Sequence, residues 1–429
     1  MQMSQERNRD VQGVPVRRGP RRLGLWGTLA LSALAAACGG PQRKPTAPAG
    51  EVTHFDMDPV QITATKKDGQ LQVDAYDAEE LFERASQAYS QKRLDEAFAN
   101  YEQLLKTFAQ SPQAKAAKYN LGLVLQDKGE WAKAAEQFKS FIDAYPDTPD
   151  AKDAFFQMGI SLAEAKDWAG SEKVFIALAD RKDLTADDRV EALTRRAVAR
   201  FNLEDLDTAE FVLKEVFLYK RRLEATNEER LETDYFLALA QLMLGEISHK
   251  RSNTVALRWP EPQMKKDLEE KAKQLLEARR RYIDAVRYGN PRIASMAAYQ
   301  IGMLFQEFYD QVMAVPPPQE LGAAGQSEER GVYKEELRGK LRIVLEKALR
   351  GHEHNIELFE RLGVETEWVT KSRSAIDRLR QLLDQPVDVA NPAAPPSMKP
   401  EPAPPNLDNA APARRAPSDD AAGGARRIL

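Results

Sequence analysis

The chain has 429 residues, of which 30% are charged, and a net charge of -4. Six arginines against only Glu6 and Asp10 fall in the first 37 residues, so the remainder is more acidic still, which argues against nucleic acid as a partner. A single cysteine, Cys38, excludes an intramolecular disulfide or a cysteine-based metal cluster, and the length suits either one solenoid or two or three ordinary domains.

Residues 1–22 are polar and arginine-rich, and Leu23 to Ala37 is an apolar run ending in Ala35-Ala36-Ala37-Cys38-Gly39-Gly40. That run is short for a bilayer span, and small residues at its end suit a signal peptidase, so 1–37 reads as a signal peptide. Residues 38–59, rich in Pro, Gly and polar side chains, read as a tether. In 60–77, Val60, Ile62, Leu71 and Val73 flank Lys66-Lys67-Asp68-Gly69, which predicts a short β-hairpin. A two-stranded hairpin is marginal alone, so it is expected to dock on the first repeat of the neighbouring stretch or to stay disordered.

From Ala78 to Ala177 the chain repeats every 37 residues. A small residue recurs as Ala85, Gly122 and Gly159, and an apolar one as Leu94, Trp131 and Trp168. A second small residue recurs as Ala97, Ala134 and Ser171, and an aromatic as Tyr101, Phe138 and Phe175. Lys118 to Gln126 and Trp131 to Phe141 carry apolar residues at helical spacing about the turn Asp127-Lys128-Gly129, so each unit is predicted to be a helical hairpin. Small residues let the two helices approach, large ones fill the space around the contact, and one hairpin cannot bury both its faces, so the units must stack. Tyr145-Pro146 ends the second helix, with Asp150 expected to cap the next.

Beyond Phe175 the repeat loosens. Ala197, Leu206, Ala209 and Leu213 form a fourth unit, and 78–246 holds units one to four and the start of a fifth. Within 247–383, Ser248 to Gln263 reads as a loop and Met264 to Tyr288 as a late partner helix with Ala278, Tyr282 and Ala285 on repeat positions. Pro291 opens another unit, with Ala297 to Tyr309 its first helix and Gly302 in the small column. A long helix over Ser327 to Leu362 comes next, and Thr366 to Leu383 closes the array as a cap. Residues 384–429, rich in proline and without an aromatic residue, read as a disordered tail. The fold class is therefore all-α, a solenoid of about six helical hairpins.

Motifs for catalysis are missing. His352 and His354 lie two apart, on different faces of a helix, and read as surface residues; Glu353 between them does not complete a His-Glu-x-x-His zinc signature. No phosphate-cradling glycine loop occurs, so no enzyme activity, cofactor or metal is expected. Phe82, Tyr119 and Phe156 also repeat every 37 residues, as do Leu123 and Ile160 four residues after the last two, and they are either a partner-binding face or packing between neighbouring repeats.

The stretch "YNLGLVLQDKGEWAKAAEQFKSFIDAYPDTPDAKDA" resembles a tetratricopeptide repeat (TPR), with signature positions on Gly122, Leu125, Gly129, Trp131, Ala134, Phe138, Phe141 and Pro146. Its lengthened form is similar to periplasmic lipoproteins of outer-membrane assembly and cell-division coordination, and implies a scaffold that binds protein partners. In such proteins the places of Phe82, Tyr119, Leu123, Phe156 and Ile160 line a concave groove. The run ending at Cys38 resembles a lipobox, with Ala35 where leucine is usual, which implies a palmitate-bearing lipid anchor on the periplasmic face of the outer membrane. "RRRYIDAVRYGNPRIASMAAYQIGMLFQEFYD" and the charged helix after it resemble TPR lipoproteins of the adventurous gliding-motility apparatus, a machine spanning the envelope, so envelope proteins are the expected partners.

Overall fold

A computed structural model describes residues 59–67, 70–227, 229–318 and 327–384. The signal peptide, Cys38, most of the tether and nearly all of the tail expected from the sequence lie outside them. Strands β1 (Gln61–Lys67) and β2 (Gln70–Tyr76) pair antiparallel, with Gln61 opposite Tyr76. Tyr76 docks this hairpin on the first helical unit: its buried ring meets Phe108 edge-on at 6.4 Å, and its hydroxyl accepts a hydrogen bond from the Gln103 amide.

Six helical hairpins come after it. Units one to four are α1 (Ala78–Ser90) with α2 (Leu94–Thr107), α3 (Pro112–Asp127) with α4 (Trp131–Ala144), α5 (Pro149–Glu164) with α6 (Trp168–Ala179), and α7 (Ala186–Asn202) with α8 (Leu206–Thr226). Unit five is α9 (Tyr235–Thr254) with α10 (Glu261–Arg287), and unit six is α11 (Pro291–Met313) with α12 (Ser327–Leu362). Helix α13 (Glu367–Leu383) packs on α12 and α11. This is the all-α solenoid expected from the repeats. Both end helices turn polar faces outward, Glu79, Glu83 and Gln87 on α1 and Thr370, Arg373 and Asp377 on α13, as terminal units of a stacked array must.

A ring seated on a glycine organises units two, three and five. A side chain added at Gly122 would meet Phe138 Cζ at 2.6 Å, one at Gly159 would meet Phe175 Cζ at 2.6 Å, and one at Gly245 would meet Tyr282 Cδ1 at 2.6 Å. Full burial of each ring contributes about 1.5–3 kcal/mol. The turn is equally regular in units one to four: Lys92, Gly129, Lys166 and Glu204 all take positive φ, and the next residue donates its N–H to a carbonyl five positions back, as Glu130 does to Leu125 at 2.9 Å. That hydrogen bond satisfies a carbonyl the helix end would leave open.

Three local expectations are corrected. Thr148, not Asp150, precedes α5, with Pro149 at its first position and Asp150 in its first turn. Helix α9 runs on through Thr254, so the loop expected over Ser248 to Gln263 shrinks to 255–260, because the polar residues Ser248, His249 and Ser252 are buried against α10 and α11. Helix α11 begins at Pro291 rather than Ala297, with the Asn290 side chain accepting from the Ile293 N–H.

Candidate functional site

The five residues proposed as a docking face do not lie together on a surface. Phe82, Tyr119 and Phe156 each pack on the aromatic of their own unit's second helix, nineteen positions on: Phe82 on Tyr101 with ring centres 5.8 Å apart, Tyr119 on Phe138 at 5.5 Å, and Phe156 on Phe175 at 6.3 Å. Tyr119 is 0% exposed, Leu123 1% and Phe156 7%, so these three are interior; Phe82 and Ile160 are half-buried and reach solvent. The correction has a simple cause. A 37-residue spacing marks any position the repeat conserves, and packing inside a hairpin repeats as faithfully as a groove does. The constant separation of nineteen within each pair was the signal for intra-unit contact.

What reaches solvent beside Phe82 and Ile160 is a set of half-buried apolar side chains on the first helices, including Phe155 and Met158 of α5. The second helices are more strongly charged outward, as with Lys133, Glu136, Lys139 and Asp143 of α4. Adjacent first helices are also tied by polar contacts: Gln126 of α3 donates to Gln157 Oε1 at 3.1 Å and Ser161 Oγ at 2.8 Å on α5, and Lys152 of α5 donates to Asp188 of α7 at 2.7 Å. These contacts fix the pitch between units.

The interior changes character in unit five. His249 Nδ1 lies 3.1 Å from the Tyr282 hydroxyl, and its Nε2 lies 3.2 Å from Glu307 Oε2, an ion-pair separation at an angle that leaves Nε2 without a formed hydrogen bond. Gln300 donates to Glu246 at 2.8 Å, and Lys271, 1% exposed, donates to the Ser252 carbonyl at 2.6 Å. Burial pushes the Glu246 carboxyl and the Tyr282 phenol up and the Lys271 amine down, while the close approach of the His249 imidazole holds Glu307 below the usual carboxylate range. Of these groups the sequence pointed only to Tyr282, through its repeat position; Glu246, His249, Lys271 and Glu307 look like ordinary polar helix residues.

His352 is the second correction. Rather than lying at the surface it is 0% exposed and fills unit six's ring position: a side chain added at Gly302 would meet its imidazole at 2.5 Å. Its Nδ1 lies 3.3 Å from Ser372 Oγ on α13, and Nε2 is buried without a partner. Burial lowers its pKa to about 4. His354 is exposed, as expected.

Among the described residues, no three His, Cys, Asp or Glu side chains are grouped to hold a metal, and no helix is long and apolar enough to cross a membrane. Two open depressions, of ≈ 440 Å³ beside Pro146, Lys152 and Arg181 and ≈ 380 Å³ beside Arg189, Tyr219 and Arg222, contain none of the five proposed residues.

Fold and interior together define an array of stacked tetratricopeptide-type hairpins. Residues 74–201, from the end of β2 to the last turn of α7, match the family model described as "YfiO: Outer membrane lipoprotein". Among solved structures, a tetratricopeptide repeat protein from Parabacteroides merdae is 14% identical over 71% of this chain and 98% of its own, with a TM-score of 0.36. A TPR repeats protein from Bacteroides fragilis is 15% identical over 71% and 99%, with a TM-score of 0.25. A Podosopora anserina structure of putative kinesin light chain TPR-like repeats is 14% identical over 46% and 93%, with a TM-score of 0.33. No curated protein matches the chain significantly.

Proposed function

We propose that this protein is a scaffold without chemistry of its own, anchored through lipidated Cys38 to the periplasmic face of the outer membrane, whose helical array gathers envelope proteins into one machine. The observation that carries this reading is the match of 74–201 to an outer membrane lipoprotein model, falling on hairpins whose first helices keep half-buried apolar side chains at the surface. Buried acyl methylenes are worth about 0.8 kcal/mol each, so several chains on one cysteine anchor far more firmly than one. The machine we favour is the gliding-motility apparatus, on the resemblance of the α10 to α12 sequence. Outer-membrane protein assembly or the coordination of division with cell-wall synthesis is the alternative.

Partners dock, on this reading, around Phe82 and Ile160 through an apolar segment, since apolar anchors dominate most interfaces. Cys38→Ser should leave the protein unlabelled by fatty acid and move it out of the outer-membrane fraction; labelled or membrane-retained mutant protein contradicts the anchor. Phe82→Ala with Ile160→Ala should weaken capture of partners at unchanged helicity, and full capture by that double variant removes the docking face.

A further inference from the structure

The column of large side chains runs Tyr101, Phe138, Phe175, Leu213, Tyr282 and His352, and only its last member is a titratable base near neutral pH. His352 holds three helices together. It lies against the backbone of Gly302 on α11, its ring centre is 5.4 Å from that of Tyr299 on the same helix, and its Nδ1 faces Ser372 of α13. Around it, Asn355 donates to Ser372 Oγ at 2.9 Å, and Trp368 of α13 stacks on Tyr299 at 5.3 Å. We infer that this end of the array is a pH-gated cap, in which neutral His352 locks α12 and α13 onto α11 and protonation of its imidazole releases them while units one to three stay folded.

The reason is that a second ring proton has nowhere to go. Nε2 is sealed in without an acceptor, so an imidazolium there would be both desolvated and unpaired. Charged groups on the packed elements do not compensate. Helix α11 offers the Tyr299 phenol and, farther along, Glu307, which is engaged by His249 and Asn253. Helix α13 offers Lys371, which sits over the Trp368 ring at 3.9 Å, and Arg380, which bonds Glu353 of α12 at 3.0 Å. His354 faces solvent. Burial acts against the charge on the His352 ring.

The two states of the cap differ in proton affinity. The released helices hold the proton at the ordinary value of 6.5, and the packed ones only at about 4. Closure is therefore fully favoured above 6.5 and is lost as pH falls toward 4. Opening of the cap should rise about twenty-fold between pH 7 and pH 5 from this group alone. Units one to three have Tyr101, Phe138 and Phe175 at this position and lack the effect.

Hydrogen exchange on the protein purified from its host, corrected for the pH dependence of intrinsic exchange, reads this directly. Peptides from α13 and the second half of α12 should lose protection below pH 6.5, by roughly twenty-fold at pH 5 relative to pH 7, while those from α3 to α6 keep theirs. In His352→Phe, which installs the ring used at Phe138 and Phe175, that loss should vanish; if the variant folds poorly, His352→Leu, after Leu213, makes the same comparison. Because variant and wild type share every carboxylate, the difference between them isolates the imidazole. Wild-type protection unchanged at pH 5, or an equal loss in wild type and variant, overturns the cap.

Discussion

In units one to four the second helix always starts four residues after the first one ends, at Leu94, Trp131, Trp168 and Leu206, through one left-handed turn. In units five and six the gap opens to 255–260 and 314–326, and the second helices lengthen to 27 and 36 residues. The interiors diverge in parallel. The first units close over Tyr, Phe and Leu side chains with small buried polar groups such as Asn120, Ser161 and Thr194 among them, whereas the last two also enclose the titratable side chains of His249, Lys271 and His352. A regular array thus stands on generic packing that any neighbour can repeat, while the irregular end depends on particular polar partners. Such partners are more costly to remove singly and respond to pH.

The largest expected effect probes the first region. Tyr119→Ala with Phe156→Ala empties two interior ring sites, at about 3–5 kcal/mol each, and should abolish the cooperative melt of the N-terminal units. Survival of the fold would restore these residues to the surface. Next, Gly122→Leu or Gly159→Leu drives a branched side chain into Phe138 or Phe175 and should cost about 1–3 kcal/mol or more; an unchanged circular dichroism melt would refute the ring-on-glycine contact.

Tyr282→Phe tests the second region. It keeps the ring and strips the hydroxyl from His249, leaving a buried ring nitrogen unpaired at about 1–3 kcal/mol. Tyr101→Phe, in unit one, removes contacts at 2.9 Å to Ser86, which is half-buried and can turn to water, and at 3.2 Å to Asn120, and should cost less. The comparison sharpens if chemical denaturation ranks the pair that way, and fails if it reverses them. Smallest are the turns. Lys166→Gly and Glu204→Gly relieve a side chain held at φ of 63 and should stabilise by up to about 1 kcal/mol, whereas Gly129→Ala should destabilise by a similar amount.

The sequence carried the hairpins wherever the contact partners keep a fixed separation. Gly122 with Phe138 and Gly159 with Phe175 are both sixteen apart, so one period exposed helix, turn and contact together. Gly245 finds Tyr282 and Gly302 finds His352 across inserted loops, and no period links them. The small column still pointed to Gly302, but its partner was a histidine, a residue whose polarity argues for the surface until the cavity that shields it is known. The docking face was misread for the opposite reason: Tyr119 and Phe156 repeat so well because the interior demands it. Polar residues of α9 read as a loop because their partners, the Lys271 backbone and Tyr282, lie on a helix that arrives much later.

The proposed function has the array hold other envelope proteins at the membrane. Crosslinking in living cells of the host, followed by affinity purification of tagged protein from the outer-membrane fraction, tests that claim most directly. The account predicts a defined set of envelope proteins crosslinked to first-helix positions beside Phe82 and Ile160, a set that shrinks in Cys38→Ser and in the Phe82→Ala, Ile160→Ala variant. Recovery of the wild-type chain from the soluble fraction, with no protein crosslinked to those positions, would contradict it.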